Sequence, residues 1–129
     1  MNAERGSVGV IAAALVAAGL ILALFVAEIA QVVQTRARLI AAADAAALAA
    51  APVTFARFGS GGNPVAEATA MAIANDAELI ECVCTIDRSW SRREVVATVG
   101  ASVDLLLLGD RRLTATAAAE FRPTQLVPP

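Results

Sequence analysis

The chain has 129 residues, 58% of them hydrophobic but only 4% aromatic, with net charge -2 and a mean hydropathy of +0.68. That is one ordinary domain at most, more apolar than the ~45–50% of a soluble one, and the excess is gathered in about the first fifty residues. There is no His, and the ten basic residues are all Arg and scattered. Nucleic-acid binding through a clustered basic face and His-based catalysis are therefore excluded.

Residues 6–27 carry no charge, and Ser7 is their one polar side chain. A helix crossing the hydrocarbon core needs about 20 such residues, so the stretch predicts a transmembrane span over 7–27. The alternative is a signal peptide, whose apolar region is only about 7–15 residues long and ends in a small-x-small site. The run here is longer, and its end, Phe25-Val26-Ala27-Glu28-Ile29-Ala30, offers no such site. Past Ala27 the helical pattern continues without Gly or Pro until Pro52, with Ile29, Val32, Val33, Leu39, Ile40 and Leu48 at three-to-four spacing in an Ala-rich background. One rod over 8–51 would be roughly 65 Å long. Arg5 lies before the span and Arg36 and Arg38 after it, so charge counting alone places the C-terminus in the cytoplasm.

The chain then divides into a Gly/Pro linker over 52–63, a small α+β domain over 64–121 and a disordered tail over 122–129. The linker contains Gly59-Ser60-Gly61-Gly62, but no GK[ST] or strand–loop–helix context makes it a phosphate cradle; it reads as a hinge. Asn63 and Pro64 suit the N-cap and first position of a helix over 64–76, with Val65, Ala68, Ala72 and Ile73 on one face. Three strands follow. Residues 79–86 would place Ile80, Cys82, Cys84 and Ile86 on one side, while 95–105 and 113–121 alternate apolar and polar as half-buried antiparallel strands do. Short polar connectors over 87–93 and 109–112 make a three-stranded meander, with the helix on its apolar face. Some sixty residues is close to the lower limit for an independent core, so docking onto the rod or a partner is expected.

Cys82 and Cys84 are too few for a disulfide framework, and without His they do not make a zinc site. Residues two apart on a strand sit roughly 6.5 Å apart at Cα, leaving the Cβ atoms beyond the ~3.8 Å a disulfide favours. Two small buried thiols are one reading; oxidation, within the pair or to another chain, is the other. Glu28 falls at the lipid–water boundary, either solvated or paired with a neighbouring subunit. Asp44, on the rod, is either solvated or paired with Arg36, Arg38 or another chain. Trp90 lies in the first connector as a residue capping the sheet or as an anchor for a partner. No catalytic, cofactor or metal constellation is present in the sequence.

Arg5-Gly6-Ser7-Val8 followed by the apolar helix resembles the amino-terminal pattern of the TadE/TadG-like pilus-assembly proteins, the minor pseudopilins of tight-adherence (Flp) pili. The Ala-rich block over 36–50 is similar to the segment that follows the span in this group, and is closest to its short actinobacterial, helicase/secretion-neighbourhood branch. The resemblance implies prepilin-peptidase cleavage after Gly6, leaving Ser7 as the mature N-terminus, with residues 1–6 cytoplasmic and the sheet outside. The family's Glu a few residues after the cut is replaced here by Ile11. A non-enzymatic, pilin-like single-pass subunit, with the bilayer and other pilus subunits or its own copies as partners and no cofactor, small-molecule substrate or nucleic acid, is the leading expectation. A membrane-tethered binding module unrelated to pili and a small domain released by signal peptidase are the alternatives.

Overall fold

A computed structural model describes residues 3–55 and 62–126 of the chain. Its elements are α1 (Ala3–Val53), α2 (Pro64–Ala74), β1 (Glu78–Val83), β2 (Arg93–Leu105), β3 (Gly109–Phe121) and a final 3-10 turn, Pro123–Leu126. The three strands form one antiparallel sheet in the order β1-β2-β3, so the expected α+β class and meander hold. The Gly-rich part of the linker, 56–61, and residues 127–129 lie outside the described residues.

α1 is a single helix of 51 residues, about 75 Å long at 1.5 Å per residue. Pro52 sits in its last turn, where the lost N–H bond shortens the helix rather than kinking it. Thr54 then turns back on the end, its hydroxyl donating to the Ala51 carbonyl at 2.6 Å. The two halves of α1 have different surroundings. Residues 7–27 are exposed throughout, whereas Leu39, Ala42, Ala43, Ala46, Ala47, Ala50 and Ala51 are buried. This stripe, repeating at three and four residues as one helix face must, packs against Val95, Ala97 and Val99 of β2, Ala119 of β3 and Ala68 and Ala72 of α2. The rod therefore does not stand free. It is the main cover of the sheet, with α2 beside it and against β1, rather than α2 alone as the pattern suggested. Alanine makes this arrangement by letting backbones approach closely, and the larger side chains are kept for the ends, Leu39 at one and Phe55 at the other.

Three local expectations are corrected. Asn63 caps α2, accepting from the Val65 and Ala66 amides at 3.0 and 3.4 Å, but the buried line is Pro64, Ala68 and Ala72, with Val65 and Ile73 exposed. The i, i+4 repeat of small residues wins because only they fit against α1. In β1 the register shifts between Leu79 and Glu81. The bulge turns Leu79 inward with Cys82 and Cys84 and Ile80 outward, and Ile86 is exposed beyond the strand's end at Val83. Gly100 permits this, since a Cβ there would lie 2.7 Å from Ile80 Cδ1. Finally, β3 begins at Gly109, and the β2–β3 connection is residues 106–108 instead of 109–112. Gly109, at φ +69°, takes the left-handed conformation that closes a three-residue turn. In the tail, Pro123 is buried and opens a 3-10 turn.

Enlarging a residue of the stripe should open the helix–sheet seam. Ala43→Leu is expected to lower unfolding stability by about 1–3 kcal/mol through overpacking, whereas Ala41→Leu on the exposed face should change it by less than about 0.5 kcal/mol. Denaturant titration of the two variants in detergent, followed by circular dichroism, makes the comparison.

Candidate functional site

The sheet is fastened to α1 at both ends of the stripe. β2 runs back along the helix, and the lengths agree: 13 residues of strand span roughly 41 Å, and the helix from 28 to 54 roughly 39 Å. The matched lengths bring the β2–β3 turn down to Glu28 and the start of β2 up to Thr54 and Phe55.

At the upper end Arg93, its side chain only 9% exposed, gathers carbonyls from two separate segments. It donates to the Thr54 carbonyl at 3.2 Å and the Asp87 carbonyl at 2.7 Å, and to the carbonyls of Ser89 and Ser91. Its guanidinium also lies 5.5 Å from the Phe55 ring centroid. Trp90 packs edge-on to Phe55 at 5.0 Å, and Phe121 lies 6.4 Å away, so Trp90 caps the sheet. The Asp87 amide bonds the Thr54 carbonyl at 2.9 Å. A planar five-donor fork suits such a cluster of carbonyls in a way that an ammonium would not. Nothing in the sequence separates Arg93 from its nine exposed-looking fellows, because its long-range role depends on the Thr54 carbonyl, 39 residues away.

Cys82 and Cys84 are paired as a disulfide. The expectation of a spacing too wide for a bond fails because β1 ends at Val83. The chain leaves the extended form there, and the Cα atoms are 5.3 Å apart, within the usual disulfide range. Among the described residues, no group of three or more His, Cys, Asp or Glu could hold a metal ion.

At the lower end Glu28 is buried, 6% exposed, and so is not solvated. Its Oε1 accepts the Leu107 amide, while Oε2 has no hydrogen-bond partner. An open cleft of about 520 Å³ on one side is lined by Leu24, Glu28, Gln31, Asp104 and Leu106, and a smaller one of about 160 Å³ on the other by Phe25, Glu28, Ile29, Val33 and Leu108. The expectation of a polar connector hid this junction. The visible signal was the run Leu105-Leu106-Leu107-Leu108 ahead of Gly109. Asp44 is exposed one turn from Ile40 and Leu48, which are exposed as well. Gly6 and Ser7 lie inside α1.

A single helix, apolar and exposed over a length that can cross a membrane, carrying an antiparallel sheet packed on its second half, defines an α+β class of protein. The helix carries a likeness to a known family: residues 6–54 match the family of Flp pilus-assembly TadE/G-like proteins. No curated protein and no solved structure matches it.

The loop held by Arg93 carries its own pH dependence. The Ser89 hydroxyl, 2.6 Å from Asp87 Oδ2, and the Ser89 amide, 2.8 Å from Oδ1, lower the Asp87 carboxyl below its ordinary value, with Arg93 and Ser91 adding to the effect. A carboxylate depressed in the folded state supports that state fully above its ordinary value, about 3.9, and loses its contribution as pH falls through the lower, folded-state value. The emission of Trp90, the one tryptophan, should report an acid transition below pH ~3.9. Asp87→Asn should remove that transition.

Proposed function

We propose that this chain is a non-enzymatic, pseudopilin-like subunit of a Tad/Flp-type pilus or a related secretion assembly. Residues 7–27 hold it in the membrane as a single-pass protein, with its N-terminus in the cytoplasm and its α+β domain outside. The observation that carries this reading is the coincidence of the family match, 6–54, with α1, whose first half is wholly exposed apolar surface. A disulfide at Cys82–Cys84 suits an oxidising, extracytoplasmic compartment, in keeping with the orientation the family implies and against the count of arginines.

The subunit contacts follow from which part of α1 remains uncovered. The Ala stripe over 42–51 is occupied by the chain's own sheet, so it is not the face that meets other subunits. The small residues of the span remain open, with nothing within 4 Å of where a Cβ would sit on Gly9 or Gly19, and such positions let helices approach closely in lipid. Outside the membrane, Ile40, Asp44 and Leu48 form an exposed line on the rod, and Glu28 offers Oε2 to a donor from a neighbour. The partners are other pilin-like subunits or further copies of this chain. Prepilin peptidase cuts after Gly6, with Ile11 in place of the usual acid.

Mass spectrometry of the protein from its native membrane should find a mature N-terminus at Ser7. A chain beginning at Met1 would refute the processing and leave the anchor standing. In-cell cross-linking from position 44 should capture pilus subunits or a second copy. Leu48→Arg should reduce that capture by about tenfold or more, since an unpaired charge at a buried interface costs a few kcal/mol, without changing the fold. Capture of neither kind of partner would favour a tethered binding module instead.

A further inference from the structure

The β2–β3 turn presents three consecutive leucines, Leu106, Leu107 and Leu108, at 80%, 48% and 55% exposure. Exposed leucine at a hairpin tip is unfavourable in water, and the strands supporting it give no reason for it: the sheet's apolar face is already covered, and the buried Leu105 completes it. The position of the tip supplies the reason. The Leu107 amide is bonded to Glu28, the first charged residue after the span. Leu106 lines a cleft with Leu24, and Leu108 lines one with Phe25 and Ile29. Leu24 and Phe25 precede Ala27 by three and two residues, some 3–5 Å along the axis, so the tip overlaps the end of the apolar helix surface. Leu20, Leu22, Leu24, Phe25 and Val26 on that surface are exposed as well, and the tip extends it sideways.

We propose that this tip is a second membrane contact: the three leucines enter the boundary between acyl chains and headgroups beside the helix and fix how the domain sits on the bilayer. This rests on residues 7–27 being the membrane span. If they are, the hairpin cannot avoid the headgroup layer, because Glu28 ties it to the helix at that depth. The charge pattern agrees. The tip itself has no charge, Asp104 and Asp110 face each other at its base, and Arg111 and Arg112 follow. Apolar residues at the end and charges one or two pairs back are what an element dipping a few ångströms into an interface requires. A water-side protein partner would find these leucines at the level of the lipid surface, which is why the bilayer is the occupant. The burial of Glu28 fits the same arrangement, since the tip shields its carboxyl from the hydrocarbon edge and gives it a backbone donor.

The test uses the full chain in phosphatidylcholine bilayers with brominated acyl chains and single-tryptophan reporters in a Trp90→Phe background. Leu107→Trp and, independently, Leu106→Trp should be quenched, more by bromines near the carbonyl end of the chain than by bromines near its methyl end. Leu20→Trp in the span should be quenched most by the deep bromines, and Leu48→Trp on the rod should not be quenched. Quenching at 20 with none at 106 or 107 would overturn the tip proposal and leave the anchor intact. No quenching at 20 would remove the anchor, and the tip proposal with it.

Discussion

A helix that is exposed and apolar at one end and the centre of a protein core at the other needs two different surfaces along one axis, and the rest of this structure follows from that requirement. Where α1 meets the sheet it is lined almost entirely by alanine, from Ala42 to Ala51. Small side chains contribute little buried area each, so the seam depends on close, continuous approach over the whole length of β2 and β3. A domain of this size, with few aromatic residues, has no other way to form a core. The long helix is therefore an integral layer of the domain, and the domain is inseparable from the element proposed to cross the membrane.

A thin alanine seam has little to stop it sliding, and fastenings are found at its two ends. At the top, Arg93 joins the end of α1, the Asp87–Ser91 loop and the first residue of β2 through four carbonyls, against the face of Phe55. At the bottom, Glu28 takes the Leu107 amide. Both use a charged side chain bonded to backbone groups, where direction and number of bonds are better defined than in apolar contact. The upper clasp holds Trp90 and the Asp87–Ser91 loop at the far end of the domain, and the lower one fixes the leucine tip beside the end of the apolar stretch.

The family match stops at residue 54, the last buried polar residue of the rod, and the sheet matches nothing. That division is physically sensible. The helix carries an exposed apolar half and a buried alanine seam on one axis, which restricts its composition, while the sheet has only to present small apolar residues inward. The bulge at Ile80 lies on β1, an edge strand, and the disulfide at Cys82–Cys84 spans that strand's end at Val83.

Composition, residue type and periodicity determined the long helix, its apolar first half, the N-cap at Asn63 and the inward faces of β2 and β3, because each is local to a regular stretch of backbone. The Gly6–Ser7 pattern and the Ala-rich block were enough to indicate the TadE/G-like family. What only the tertiary structure decided were the features that join distant segments. The sheet lies on the rod, Arg93 reaches Thr54, Glu28 is buried rather than solvated, and the leucines beyond β2 form a turn rather than prolonging the strand. None of these leaves a periodic trace, since a hydrogen bond between residues 28 and 107 is set by the matched lengths of a helix and a strand and not by anything local to either residue.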